Sequence, residues 1–125
     1  MELAVAVSEE AGFLRFTLSG AFPASLPEAI DAYAGMYARA VGSGVFRYLL
    51  DLRGLCQRMS IPEIFEFATA VCPEEEDQTR TATLDSPSNM VAARFFENLM
   101  HSRGRTYRLF TCEPEAVEWL LSEKS

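Results

Sequence analysis

A chain of 125 residues, 49% apolar and 23% charged, is long enough for one hydrophobic core and too apolar for a disordered or fibrous protein. Its formal charge of −7 would repel a phosphate backbone, and no cluster of lysine and arginine interleaved with aromatics offsets it, so no nucleic acid partner is expected. No apolar run reaches membrane-spanning length, and Met1-Glu2-Leu3 opens without a basic segment leading into an apolar one. The expectation is a cytoplasmic protein with no membrane span, folded as a single domain over residues 1–125.

In chain order, Leu3, Val5 and Val7 alternate with small or polar residues, Ser8 to Gly12 supply turn chemistry, and Leu14, Phe16 and Leu18 alternate again, which predicts a β-hairpin. Ser25-Leu26-Pro27-Glu28 is a capping box that opens a helix carrying Leu26, Ile30, Tyr33, Tyr37 and Val41 at helical spacing, stopped by Gly42-Ser43-Gly44. Val45 to Leu52 is apolar on both faces apart from Arg47, the pattern of a central strand covered on two sides. A polar loop from Arg53 then leads to a second capping box, Ser60-Ile61-Pro62-Glu63, and a helix whose stripe reads Ile64, Phe65, Ala68 and Val71. Pro73 and the acidic run Glu74-Glu75-Glu76-Asp77 end it; consecutive carboxylates lack the spaced ligands of a calcium loop and read as a solvated loop.

Thr79 to Leu84 predicts a short strand, and Ser86-Pro87 a cap followed by proline at the first helical position. The next helix carries a double stripe of Val91, Phe95 and Leu99 beside Ala92, Phe96 and Met100, with Arg94, Glu97, Asn98 and His101 facing elsewhere. Gly104 closes it, Tyr107, Leu109 and Phe110 form a last strand, and Pro114 opens a helix that Trp119 anchors to the sheet. The resulting fold class is α/β: an N-terminal hairpin, then alternating strands and helices, giving a mixed, mostly parallel sheet of about five strands with four helices.

Chemistry is sparse. Cys56, Cys72 and Cys112 form no CxxC pair and read as small core residues, and His101, the single histidine, sits where a helix dipole favours a cation. No phosphate-binding glycine loop, nucleophile elbow or metal-ligand spacing occurs, so the expectation is no enzyme, no metal and no cofactor. What remains is a rim where strands end and helices begin: Asp51, Arg53 and Ser60 on one side, Asp85, Ser86, Ser88 and Asn89 on the other. Free N–H groups there could hold an anion or a phosphoryl group; equally, the serines could simply cap helices and the aspartates satisfy turn amides. Phe65 and Phe67 are candidates for lining an apolar pocket between their helix and the sheet.

Three segments carry a family resemblance over nearly the whole chain. Phe46 to Leu55 is similar to an apolar strand with an Asp-Leu turn, Ser60 falls where a phosphorylatable serine opens a helix, and Ala93-Arg94-Phe95-Phe96-Glu97 through Trp119-Leu120 is similar to the close of small bacterial proteins. Together they resemble the STAS and SpoIIAA-like superfamily of anti-sigma-factor antagonists and their relatives. The resemblance implies a SpoIIAA-like fold and a regulatory module that binds a protein partner or associates with itself as a homodimer. It also implies two other uses, a serine switch at Ser60 and a small apolar or lipid-like ligand; a small anionic ligand is the alternative that the helix beginnings add. The antagonists carry Asp-Ser-Ser-Gly at the switch; this chain reads Met59-Ser60-Ile61-Pro62.

Overall fold

The computed structural model describes residues 3–22, 25–42, 44, 46–57, 59–71 and 80–122. Arg58, Cys72, Pro73, the acidic run 74–77 and Thr79 lie outside the described residues. The elements are β1 (Ala4–Glu10), β2 (Phe13–Ala21), α1 (Leu26–Gly42), β3 (Arg47–Gln57), α2 (Ile61–Val71), β4 (Arg80–Leu84), a 3₁₀ turn (Pro87–Asn89), α3 (Met90–Ser102), β5 (Thr106–Phe110) and α4 (Glu113–Leu121). They build a five-stranded sheet in the order β1-β2-β3-β4-β5. The β1–β2 pair is antiparallel and the other three are parallel. The α/β architecture, with its hairpin and four helices, is the expected one.

Because β2 to β5 advance across the sheet in one direction, crossovers of one hand put α1, α2 and α3 on the same face. Leu14, Tyr48, Thr81 and Tyr107 lie in register across the strands, as do Phe16, Leu50, Thr83 and Leu109. This row structure faces the three helices, where Met36, Ala29, Phe67, Ala68 and Met100 complete the core. The alternate rows face the other way. There Phe13, Leu49, Ala82 and Leu84 pack on Ala116 and Leu120 of α4. Trp119 lies 5.8 Å from the ring of Phe110 and beneath the Arg80 guanidinium, so it anchors α4 to the sheet.

Several local expectations change. The hairpin turn is only Ala11-Gly12, with Gly12 at φ +88°; Ser8 to Glu10 continue β1, whose residues are all exposed, so polar side chains there lose no hydration. The strand β3 does not stop at Leu52: Ser19, Gly20 and Ala21 pair with Gly54, Leu55 and Gln57, across two irregularities. Gly54 is therefore no turn residue. A Cβ on it would stand 2.8 Å from the Leu18 carbonyl oxygen, so the close approach of β2 requires glycine. Cys56, expected in the core, is exposed on this extension.

The turn after β4 makes the last corrections. Ser86 makes no capping bond, and Asp85 organises the turn instead, delaying α3 to Met90. Val91 consequently leaves the core at 83% exposure, while Glu97 enters it and accepts the Leu109 N–H at 2.7 Å. A carboxylate thus takes the place that a sixth strand's carbonyl would have on β5, an outer strand of the sheet. His101 ends α3 as expected, its ring N–H donating to the Tyr107 carbonyl.

Candidate functional site

Each helix follows a strand of the parallel set, so all four helix beginnings gather along the carboxyl edge of the sheet. At α2 the capping box forms: the Ser60 N–H donates to Glu63 Oε1 at 2.8 Å and the Glu63 N–H donates to Ser60 Oγ at 3.4 Å. These bonds also hold the Glu63 carboxyl below its ordinary range. Asp85, buried, accepts the Ser86 N–H at 2.8 Å and the Asn89 side-chain amide at 2.9 Å, and its own N–H donates to Phe110 O. Ser88 lies exposed in the 3₁₀ turn.

The rim residues do not share one site. Strand parity sends Asp51 and Arg53 to the α4 face, whereas Ser60, Asp85 and Asn89 belong to the three-helix side. On the α4 face Asp51 meets Arg53 twice, at 3.0 and 2.9 Å, and Arg15 at 2.9 Å. Glu113, in the first turn of α4, closes the ring with Arg15 at 2.7 Å and Arg53 at 3.2 Å. Burial pushes the Asp51 carboxyl up, but hydrogen bonds and charge from Arg53, helped by Arg15, outweigh it and hold the group below its usual value. The bond from Arg15 likewise lowers Glu113. Two cations and two anions alternate and neutralise each other, so this cluster clamps α4 to β2 and β3 and offers no spare charge to a ligand.

On the opposite face, beneath α1, α2 and α3, lies a cavity of about 100 Å³ lined by Leu18, Met36, Leu50, Ile64, Phe67 and Phe96, among others. Phe67 is its aromatic hub, 5.6 Å from Tyr33, 5.9 Å from Phe22 and 6.0 Å from Phe96. Its polar lining comes from Thr83, Asp85, Asn89 and Tyr107. Burial pushes the Tyr33 and Tyr107 hydroxyls well above their ordinary range, so both stay protonated donors at neutral pH. Thr83 Oγ1 is the anomaly: the residue is 1% exposed and this oxygen has no hydrogen-bond partner of normal geometry, although Tyr107 stands beside it.

Phe65 is not in that lining. It is 51% exposed, because on a helix two residues turn the side chain about 200° away from Phe67. With Ile61, at 39%, it forms an apolar pair on the outer surface of α2. Arg15, Glu113, Thr83 and Tyr107 escape the linear reading. A signal for three of them exists in strand alternation, since Arg15 and Asp51 occupy the same face of neighbouring strands, as do Thr83 and Tyr107 of the other; Glu113 is a helix residue and has none.

Among the described residues no group of three or more His, Cys, Asp or Glu could hold a metal, and no helix is long and apolar enough to cross a membrane. No protein-family model matches the chain, and no curated protein matches it in sequence. Solved structures do. An uncharacterised DUF3478 protein with a SpoIIAA-like fold from Shewanella loihica PV-4 aligns over 94% of this chain and 93% of its own, at 13% identity and a TM-score of 0.57. An anti-sigma factor antagonist from Mycobacterium paratuberculosis aligns over 97% and 96%, at 15% identity and a TM-score of 0.63. With nearly the whole length of each chain aligned, this chain has a SpoIIAA-like fold.

Proposed function

We propose that this chain is a non-catalytic, STAS-like regulatory module that works by binding another protein through the start of α2. The observation that carries the reading is the exposure of Ile61 and Phe65, one helical turn apart, immediately after the exposed Ser60 of the capping box. Large apolar side chains grouped on a surface gain from being covered, and an aromatic one is a common energetic centre of an interface. An anti-sigma factor antagonist of the same fold is, by its name, a protein that acts on another protein.

Phe65→Asp is expected to leave stability within about 0.5 kcal/mol of the native value, as surface changes do, and to abolish partner binding. Tagged native and variant chains expressed in the native cell, with bound proteins quantified side by side, provide the test. A protein held by the native chain and lost by the variant supports the reading; identical bound sets overturn it. Ser60→Asp keeps a residue able to cap α2 but places a second carboxylate beside Glu63, so it tests whether negative charge at Ser60 regulates the contact.

A second reading rests on the cavity and on the buried Thr83 hydroxyl in its lining, which makes no hydrogen bond of normal geometry: the cavity takes a small, mainly apolar molecule whose single polar end bonds that hydroxyl. The Asp85 carboxylate in the lining disfavours an anion. Phenol, added while amide signals are followed by NMR, is expected to perturb Phe67, Thr83 and Phe96 first. Thr83→Val should weaken it by roughly tenfold, about one hydrogen bond, while the circular dichroism spectrum of the free protein stays unchanged. No perturbation by phenol, or equal affinity in Thr83→Val, would sink this reading.

A further inference from the structure

The two outer strands of the sheet are treated differently. On β5 the Leu109 N–H is occupied by the buried Glu97 carboxylate. On β1 nothing comparable occurs among the described residues: all seven strand residues are exposed, the register with β2 runs unbroken from Ala4↔Ser19 to Glu10↔Phe13, and the strand Ala-Val-Ala-Val-Ser-Glu-Glu contains no proline, lysine or bulge. Such devices are how soluble proteins keep an open strand from pairing with another chain. Val5 and Val7 add apolar surface, at 39% and 38% exposure, on the face they share with Leu18 and Phe16.

The backbone direction follows from the hairpin. Residues flanking a two-residue turn exchange hydrogen bonds, so Glu10, Ser8, Ala6 and Ala4 point their backbone groups at β2, and Val5, Val7 and Glu9 point theirs away from the sheet. These three are symmetric about Val7. We propose that β1 is a homodimer interface: two copies pair antiparallel about a two-fold axis at Val7, making one sheet continuous across both. In the register that uses the whole strand, Val7 faces Val7, Val5 faces Glu9, Ala6 faces Ser8 and Ala4 faces Glu10. No carboxylate then faces a carboxylate, although each strand ends in two, and the valines of both copies meet on one face. The strand is complementary to itself in hydrogen bonds and apolar surface, and the same register keeps its carboxylates from facing one another, which selects a second copy as the occupant.

Sedimentation equilibrium of the full chain, from micromolar to hundreds of micromolar, tests this. The native protein is expected to reach the mass of two chains. Val7→Lys should weaken association at least tenfold with an unchanged circular dichroism spectrum. Val7→Pro, which removes a donor aimed off the sheet and spares the β1–β2 ladder, should do the same. A native chain that stays at the mass of one throughout overturns the interface, and so does a Val7→Lys variant that dimerises as the native chain does; should Val7→Pro fail to fold, Val7→Lys decides.

Discussion

Asp51→Asn is expected to destabilise the protein by about 2 kcal/mol, lowering the melting temperature by roughly 6–12 °C for a chain of this size. The magnitude lies between two limits. A surface ion pair is worth about 0–1 kcal/mol, and removing one partner of a buried pair costs about 3–5 kcal/mol. Asp51 is buried and serves both arginines, but Arg53 and Glu113 reach solvent, so the ring is partly screened. The variant leaves Arg15 and Arg53 facing one carboxylate instead of two. The dependence on pH carries the mechanism. Asp51 and Glu113 titrate below their ordinary values in the folded protein, so on acidification the unfolded chain takes up protons first. Their contribution is complete above the ordinary carboxylate value of about 4 and is lost as pH falls through the folded values. Urea titrations should therefore show the native-to-variant gap narrowing below about pH 4 and staying constant above about pH 5. A gap that ignores pH would mean that Asp51 stabilises by shape and not by charge.

The residues of that ring illustrate what can be read from a linear chain. The hairpin, the central strand and the alternation of strand and helix all follow from local periodicity, and α2 begins where its capping box says. Face assignment is different, because it depends on where a strand ends and with which neighbour it is in register. Reading Arg53 to Ser60 as loop put Asp51 and Asp85 on two sides of one shared rim; once β3 runs on to Gln57, Asp51 and Arg53 are strand residues facing Arg15, and Asp85 belongs to the opposite layer. Gly54 lies in that extension, where a Cβ would meet the Leu18 carbonyl oxygen, because glycine serves close strand contacts as well as turns. On α2, Ile64 and Ala68 are buried as the stripe predicted, but their third partner is Phe67 and not Phe65. Helical spacing allows both; only the position of α1 and α3 around the helix decides between them. Glu97 looked like a solvated residue because its partner, the Leu109 N–H, is a backbone group that no side-chain pattern announces.

Phe67→Ala is expected to be the most damaging single substitution considered, at about 3–4 kcal/mol, since deleting a buried aromatic loses its transfer energy and leaves a void. Phe67 touches rings from three other parts of the chain, Phe22, Tyr33 and Phe96, so its neighbours cannot collapse into the gap without moving α1 and α3. Phe65→Ala, two residues earlier but exposed, should fall within about 0.5 kcal/mol of native. The contrast has a further reading. Phe67 lines the cavity beside Thr83, and its removal joins the lost phenyl volume to space that already exists. Apolar voids of roughly 150 Å³ stay dry and accept benzene. Benzene should therefore raise the melting temperature of Phe67→Ala in a concentration-dependent way, and that of Phe65→Ala not at all, as expected for a ligand that binds only the folded state. If benzene leaves Phe67→Ala unchanged while its stability loss is near 1 kcal/mol, the three-helix layer has relaxed into the gap, and the cavity is too compliant to be the rigid site that a small apolar ligand requires.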